Sequence, residues 1–139
     1  MTQTFSHPVQ ARFQDIDAAG ILFFGRNFDY FHDAYVAFLE AVGLPLPNQL
    51  KTAEIVLPLV HAQADFVAPV PFGTRADIEL HIKRIGATSF TVAYTMRRSD
   101  GVVLTRGETV HCAVTTNNFK GCPLPEPLRQ ALSKYTVQA

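Results

Sequence analysis

Two carboxylates one residue apart, Asp15 and Asp17, are followed by the small-residue turn Ala18-Ala19-Gly20 and then by Phe23, Phe24 and Gly25. Immediately downstream, Phe28, Phe31, Tyr35, Phe38, Leu39 and Val42 recur at three- and four-residue steps. That spacing predicts a helix from about Asn27 to Val42 with one broad apolar face. The succession has chemical meaning. A carboxylate on a strand end, next to the start of a helix, puts an acid or base beside oriented backbone amides. A plainer role is open to the same residues, because an aspartate after a strand also caps turns. By alternation Asp15 points away from Asp17 and suits an interaction that fixes the turn.

The elements that would position these groups follow from pattern. Val9 to Asp15 alternates as a first strand, with Val9, Ala11 and Phe13 on one face and residues 1 to 7 loose before it. Asn27 suits a helix N-cap and Asp29 the first helical turn. Gly43 ends the helix, and the prolines at 45 and 47 keep it from restarting. Glu54 to Val67 reads as strand, with Pro58 marking an edge, a bulge or a division into two segments. Arg75 to Ile85 alternates with Ala76, Ile78, Leu80 and Ile82 inward, and Ser89 to Arg98 with Phe90, Val92, Tyr94 and Met96. Ser99-Asp100-Gly101 is a hairpin turn. Val102 to Thr116 closes the sheet with Val110, Cys112 and Val114 on one face, and Leu128 to Tyr135 forms a short last helix. A helix this apolar demands a sheet around it. The fold class expected is α+β, about five antiparallel strands wrapped on one long central helix.

Composition narrows the function classes. At 139 residues and 47% hydrophobic, the chain suits a single domain, 1-139, with a substantial core. Twelve basic residues balance twelve acidic ones, which argues against a nucleic-acid or anionic-membrane partner. Cys112 and Cys122 show neither metal spacing nor a disulfide framework, and no signal or spanning segment is visible, so a cytoplasmic location is expected.

Residues 15–24, Asp-Ile-Asp-Ala-Ala-Gly-Ile-Leu-Phe-Phe, resemble the signature of the 4-hydroxybenzoyl-CoA thioesterase family of the hotdog fold. His61-Ala62-Gln63-Ala64-Asp65-Phe66-Val67-Ala68-Pro69 with Phe72-Gly73 resembles its second landmark. The resemblance implies an acyl-CoA thioesterase without metal or cofactor, coenzyme A being part of the substrate. It implies a homodimer with active sites at the interface, and a homotetramer built from such dimers. It makes Asp17 the catalytic carboxylate and the amide of Phe24, next to Gly25, the donor to the thioester carbonyl. Asp17 would form an anhydride or take a proton from water, and both routes remain open. Gly25 stands where the short-chain acyl branch often has histidine. His32-Asp33-Ala34-Tyr35 is similar to the pattern of 1,4-dihydroxy-2-naphthoyl-CoA thioesterases, which implies an aromatic acyl group. On this basis Gly20, Phe23, His32, Tyr35 and His61 are candidate substrate contacts, and Lys83, Arg84 and Thr88 candidate CoA contacts. His32 is expected on the apolar helix face, while His81 and His111 read as surface or interface residues. Rival readings are a broad-range aliphatic acyl-CoA or acyl-carrier-protein thioesterase, and a non-catalytic acyl-CoA binding protein.

Overall fold

The computed structural model describes residues 3–44 and 54–136; the prolines at 45 and 47 lie outside them. Strand β1 (Phe5–Gln10) leads through a 3-10 turn (Phe13–Asp15) to helix α1 (Arg26–Ala41). Strands β2 (Ile55–Val56), β3 (Leu59–Phe66), β4 (Arg75–Ile85), β5 (Ser89–Arg98), β6 (Val103–Cys112) and β7 (Val114–Thr115) follow, and α2 (Glu126–Ser133) ends the fold. Five strands form one antiparallel sheet in the order β1-β4-β5-β6-β3, while β2 pairs with β7 apart from it.

Helix α1 lies across this sheet as its apolar period requires. Phe31 stacks on Tyr94 at 4.7 Å, Tyr35 on His111 at 4.3 Å, and Phe38 meets Phe5 edge-on. The helix ends in a Schellman motif: Leu44 N donates to Leu39 O, Gly43 N donates to Glu40 O, and Gly43 takes φ +86. Strands β4 and β5 have the expected limits and inward residues.

Elsewhere the structure corrects the expected pattern. The first strand is Phe5–Gln10, not Val9 to Asp15, and Phe13 is 76% exposed. The ladder stops because Ala11 N still reaches Thr74 O, whereas Arg12 N is taken by the Tyr30 hydroxyl at 2.9 Å. Pro58 divides its segment, and β3 is an edge strand with a bulge between Leu59 and His61. Glu126 and Pro127 belong to α2, since proline fits a first helical turn.

The inward face of β6 is Thr105, Gly107, Thr109 and His111, not the face of Val110 and Cys112. Space and polar pairing explain the reversal. A side chain at 107 would collide with the Phe31 ring, so glycine alone lets the helix approach. The inward hydroxyls are satisfied: Thr105 donates to Asn27, and Thr109 bonds both Tyr94 and His111 Nε2. His111 is therefore buried, stacked on Tyr35 and Phe90. Its Nδ1 finds no partner among the described residues; the Leu57 backbone favours the charged ring without reaching hydrogen-bond geometry.

Two predictions follow from this packing. Gly107→Ala overfills the contact with Phe31 and costs about 1–3 kcal/mol, read from urea denaturation. Burial, aided by His32, pushes the His111 imidazole down to about 4 from its ordinary 6.5. The unfolded chain binds a proton in that window that the folded chain refuses, so this group makes stability rise with pH from about 4 to 6.5. Imidazole NMR should show the His111 ring still neutral at pH 5.

Candidate active site

Asp15 is only 3% exposed, and its surroundings compensate that burial. The Tyr30 hydroxyl donates to Oδ2 at 2.8 Å, Arg12 Nε donates to the same oxygen at 3.0 Å, and Arg26 Nε lies 3.7 Å from Oδ1. Burial pushes this carboxyl's pKa up, but the hydrogen bonds from Tyr30 and Arg12 and the charges of Arg12 and Arg26 hold it below the ordinary value. The same residue's carbonyl accepts from Phe23 N at 2.8 Å. Asp15 thus ties the end of the 3-10 turn to the approach to α1.

Asp17 sits two residues on, in a tight hairpin closed by the Ile16–Leu22 bridge. Gly20 N donates to Asp17 O, Asp17 N donates to Ile21 O, and Gly20 takes φ +81. This is a three-residue loop whose left-handed position suits glycine. Asp17 Oδ1 accepts from Ala19 N at 2.8 Å, an Asx-turn, so the capping role is real. Oδ2 has no partner among the described residues and remains available for chemistry.

Asp17 lines a cavity of about 350 Å³ with Phe24, Asn27, Phe66, Pro69 and Thr105 among its other walls. The backbone at Phe24 has a particular polarity. Arg26 N donates to Phe23 O at 2.9 Å, and Asn27 Nδ2 and Asn27 N donate to Phe24 O at 3.1 and 3.3 Å. Two successive carbonyls are thus drawn into the start of α1. In trans peptides the N–H points opposite to the carbonyl, so the amides of Phe24 and Gly25 face away from the helix. Neither donates to any described residue. A carboxylate on one wall of a cavity and, at Phe24 on another, amides that face away from the helix can support attack on a carbonyl.

Asn27 departs from the expected N-cap. Gly25 occupies that position, and Asn27 is buried inside the first turn. Its Oδ1 accepts from Thr105 Oγ1 at 2.9 Å, across a sequence gap that no local pattern signals. Nothing in the sequence marks Tyr30 or Thr105, since an aromatic in the helix and a threonine in a strand look like ordinary packing.

Other candidates lie elsewhere. Phe23 is half-exposed and packs against Phe24 at 4.6 Å. His32 is exposed, not set in the apolar face, which is built from Asn27, Tyr30, Phe31, Ala34, Tyr35, Phe38 and Leu39. Tyr35 is buried against His111, and burial raises its hydroxyl's pKa. His61 is exposed on β3 and bonds Gln63. Lys83 pairs with Glu108 at 2.6 Å on the sheet's outer face, while Arg84 and Thr88 are exposed near the β4–β5 turn. His81 is half-buried, and burial lowers its pKa. Among the described residues no group of three His, Cys, Asp or Glu side chains is arranged for a metal, and no helix is long and apolar enough to cross a membrane.

An antiparallel sheet laid on one long helix, with a carboxylate hairpin at the helix start, is the hotdog arrangement. The chain belongs to the Thioesterase-like superfamily, which it matches over residues 11–132. It is similar to the 1,4-dihydroxy-2-naphthoyl-CoA hydrolase of Synechocystis, 32% identical over 130 residues, covering 93% of this chain and 94% of that one. The corresponding enzyme of Synechococcus elongatus is 34% identical over 122 residues, covering 87% and 89%. Among solved structures, a 1,4-dihydroxy-2-naphthoyl-CoA thioesterase from Synechocystis superposes with TM-score 0.89 at 32% identity, covering 94% of this chain and 96% of that one. A gentisyl-coenzyme A thioesterase superposes with TM-score 0.81 at 26% identity, covering 89% and 98%.

The Asp15 cluster generates a stability prediction. Tyr30→Phe removes a donor from a buried carboxylate and strips Arg12 N of its acceptor, at a cost of about 1–3 kcal/mol by urea denaturation. Because the folded carboxyl titrates below its ordinary value, its contribution is complete above about pH 4 and is lost as pH falls through the folded value. Asp15→Asn should accordingly be least stable relative to wild type near neutrality, with the difference shrinking in acid.

Proposed function

We propose that the protein, as one hotdog domain over residues 1–139, hydrolyses an aromatic acyl-CoA thioester to the free acid and CoA. The observation that carries this reading is a cavity lined by both Asp17, with one carboxylate oxygen free, and Phe24, where the amides of Phe24 and the adjoining Gly25 are unpartnered among the described residues. In the proposed reaction Asp17 attacks the thioester carbon, or takes a proton from a water that does. Electron density moves to the carbonyl oxygen, where the Phe24 and Gly25 amides stabilise it. The C–S bond then breaks and CoA leaves as thiolate, to be protonated. On the first route water hydrolyses the mixed anhydride on Asp17, which releases the acid and restores the carboxylate; on the second the acid forms directly and the proton held by Asp17 passes to the thiolate or solvent. One such donor typically contributes a few kcal/mol to a tetrahedral transition state. The chemistry asks for no cofactor beyond the CoA of the substrate.

An aromatic acyl group is supported by the relatives, which act on 1,4-dihydroxy-2-naphthoyl-CoA and gentisyl-CoA by name. The walls suit it too: Phe24 meets Phe66 edge-on at 6.2 Å, with Phe23 beside them. These rings are also much exposed, as are Leu59 and Val60 on edge strand β3. Their exposure supports a homodimer in which a second copy covers this edge and completes the acyl site, with a homotetramer above it. His61 on that strand and His32 on α1 are the proposed side-chain contacts, with Gly20 and Phe23 at the hairpin, whereas Tyr35 is buried against His111 and packs the core. For CoA, Arg84 and Thr88 are better placed than Lys83, which Glu108 already engages. Two free cysteines and a CoA substrate fit a cytoplasmic enzyme.

Thiol release from a panel of aryl- and aliphatic acyl-CoA substrates tests the proposal. One aryl-CoA should dominate, and Asp17→Asn should lose at least about 100-fold in kcat. A graded dependence on aliphatic chain length would replace the aromatic substrate. Slow turnover of every substrate, indifferent to Asp17→Asn, would remove the catalytic assignment and leave a binding protein.

A further inference from the structure

We infer that Asn27 and Thr105 form a buried clamp that sets the orientation of the amides proposed to receive the oxyanion. The inference rests on the reading above and assigns its geometry to two residues outside the hairpin. Both side chains are nearly inaccessible, Asn27 at 3% and Thr105 at 1%, and both border the cavity that holds Asp17. Neither reaches the reacting atoms as a catalytic residue would; they are positioning residues.

The chain of contacts is short. Thr105 Oγ1 on β6 donates to Asn27 Oδ1 at 2.9 Å. That bond fixes which end of the Asn27 amide faces the backbone, so Nδ2 is the atom that meets Phe24 O, at 3.1 Å. Phe24 O belongs to the peptide whose N–H is that of Gly25. Gripping the carbonyl sets the peptide plane, and the Gly25 N–H must point to the other side. Gly25 adds no side-chain constraint of its own, takes helical dihedrals (φ -65, ψ -26) and is uncapped by any side chain. Local sequence therefore does little to hold this plane. The hold comes from β6, across the core.

Polar atoms this well buried are costly unless paired, so the clamp is an arrangement with a use. An apolar pair would fill the same space without orienting a carbonyl. The inward face of β6 has a hydroxyl at 105 where a valine of the same shape would pack.

The test compares Thr105→Val, Thr105→Ser, Asn27→Asp and Asp17→Asn in the intact protein, with 1,4-dihydroxy-2-naphthoyl-CoA as substrate. Thr105→Val keeps shape and loses the donor; Asn27→Asp keeps the acceptor for Thr105 and sets an oxygen against Phe24 O. Each should lower kcat roughly 10- to 100-fold with KM little changed. Thr105→Ser should restore most of the loss, and Thr105→Val combined with Asn27→Asp should lose no more than Asn27→Asp alone. A second readout is the infrared carbonyl band of a bound phenacyl thioether of CoA. It should lie lower than in water for wild type and return toward the free position in Thr105→Val. If Asn27→Asp fails to fold, the Thr105 pair and this band decide. Wild-type kcat and an unmoved band in Thr105→Val, while Asp17→Asn is inactive, would overturn the clamp and leave the thioesterase reading intact. A Thr105→Ser loss as large as that of Thr105→Val would also overturn it. Full activity in Asp17→Asn would instead remove the proposed site and the clamp with it.

Discussion

Burial of the Asp15 carboxylate is the constraint on which the site depends. An ionised group at 3% exposure is tolerable only with several partners, and here they come from two places: Arg12 just before the 3-10 turn, and Arg26 and Tyr30 from the first turns of α1. Satisfying one carboxylate thereby fixes the angle between the chain leaving β1 and the axis of α1. The Tyr30 hydroxyl contributes twice, accepting from Arg12 N while donating to Asp15. The carbonyl of Asp15 then secures Phe23 N, one residue before Phe24, which lines the cavity. Asp17, two residues along, inherits its place from this anchor and from the glycine turn.

The helix could not lie close enough for this without β6. Gly107 removes the side chain that Phe31 would strike, and the threonines on either side take up the polar groups that a close approach buries. Packing and site geometry are one problem in this region. The contact that seats Phe31 also brings Thr105 to Asn27 near the helix start. Dispersion and area favour the approach, whereas hydrogen bonding sets its register.

Much of this was legible in the sequence, for reasons that also mark where reading stopped. The α1 period, the alternation of β4 and β5 and the Asp-Gly turn are local signals, and they carried their elements nearly to the residue. The Asp17 hairpin was legible because small residues and a glycine at that spacing restrict the backbone. Strand β6 defeats pattern because both its faces alternate acceptably, and the rule that apolar residues point inward favours Val110 and Cys112 over the polar row that is buried. His32 was placed among apolar neighbours at helical spacing, yet the buried arc is centred on Ala34 and Phe38 and leaves it outside. Asn27 looked like a cap because a cap is what asparagine does near a helix start; its true partner is 78 residues away. Polar contacts across the core leave no periodic trace.

In the proposed reaction a carboxylate and an anion-stabilising amide pose conflicting demands, since the first repels the charge that the second must receive. The structure separates the two by backbone origin. Asp17 is carried by a hairpin whose own amides are spent on the turn: Asp17 N on Ile21, Ala19 N on the carboxylate and Gly20 N on Asp17 O. The Phe24 and Gly25 amides come from the next segment, where the carbonyls rather than the amides are consumed by the start of α1. One segment therefore exposes an oxygen, and the other exposes N–H groups, although only a few residues of chain lie between them. The helix adds its own field at the same end, with positive potential toward any charge that develops there. This division works only while the Phe23 and Phe24 carbonyls stay inside the first helical turn, which makes the grip of Arg26 N and Asn27 on them as consequential for the proposed chemistry as the carboxylate itself.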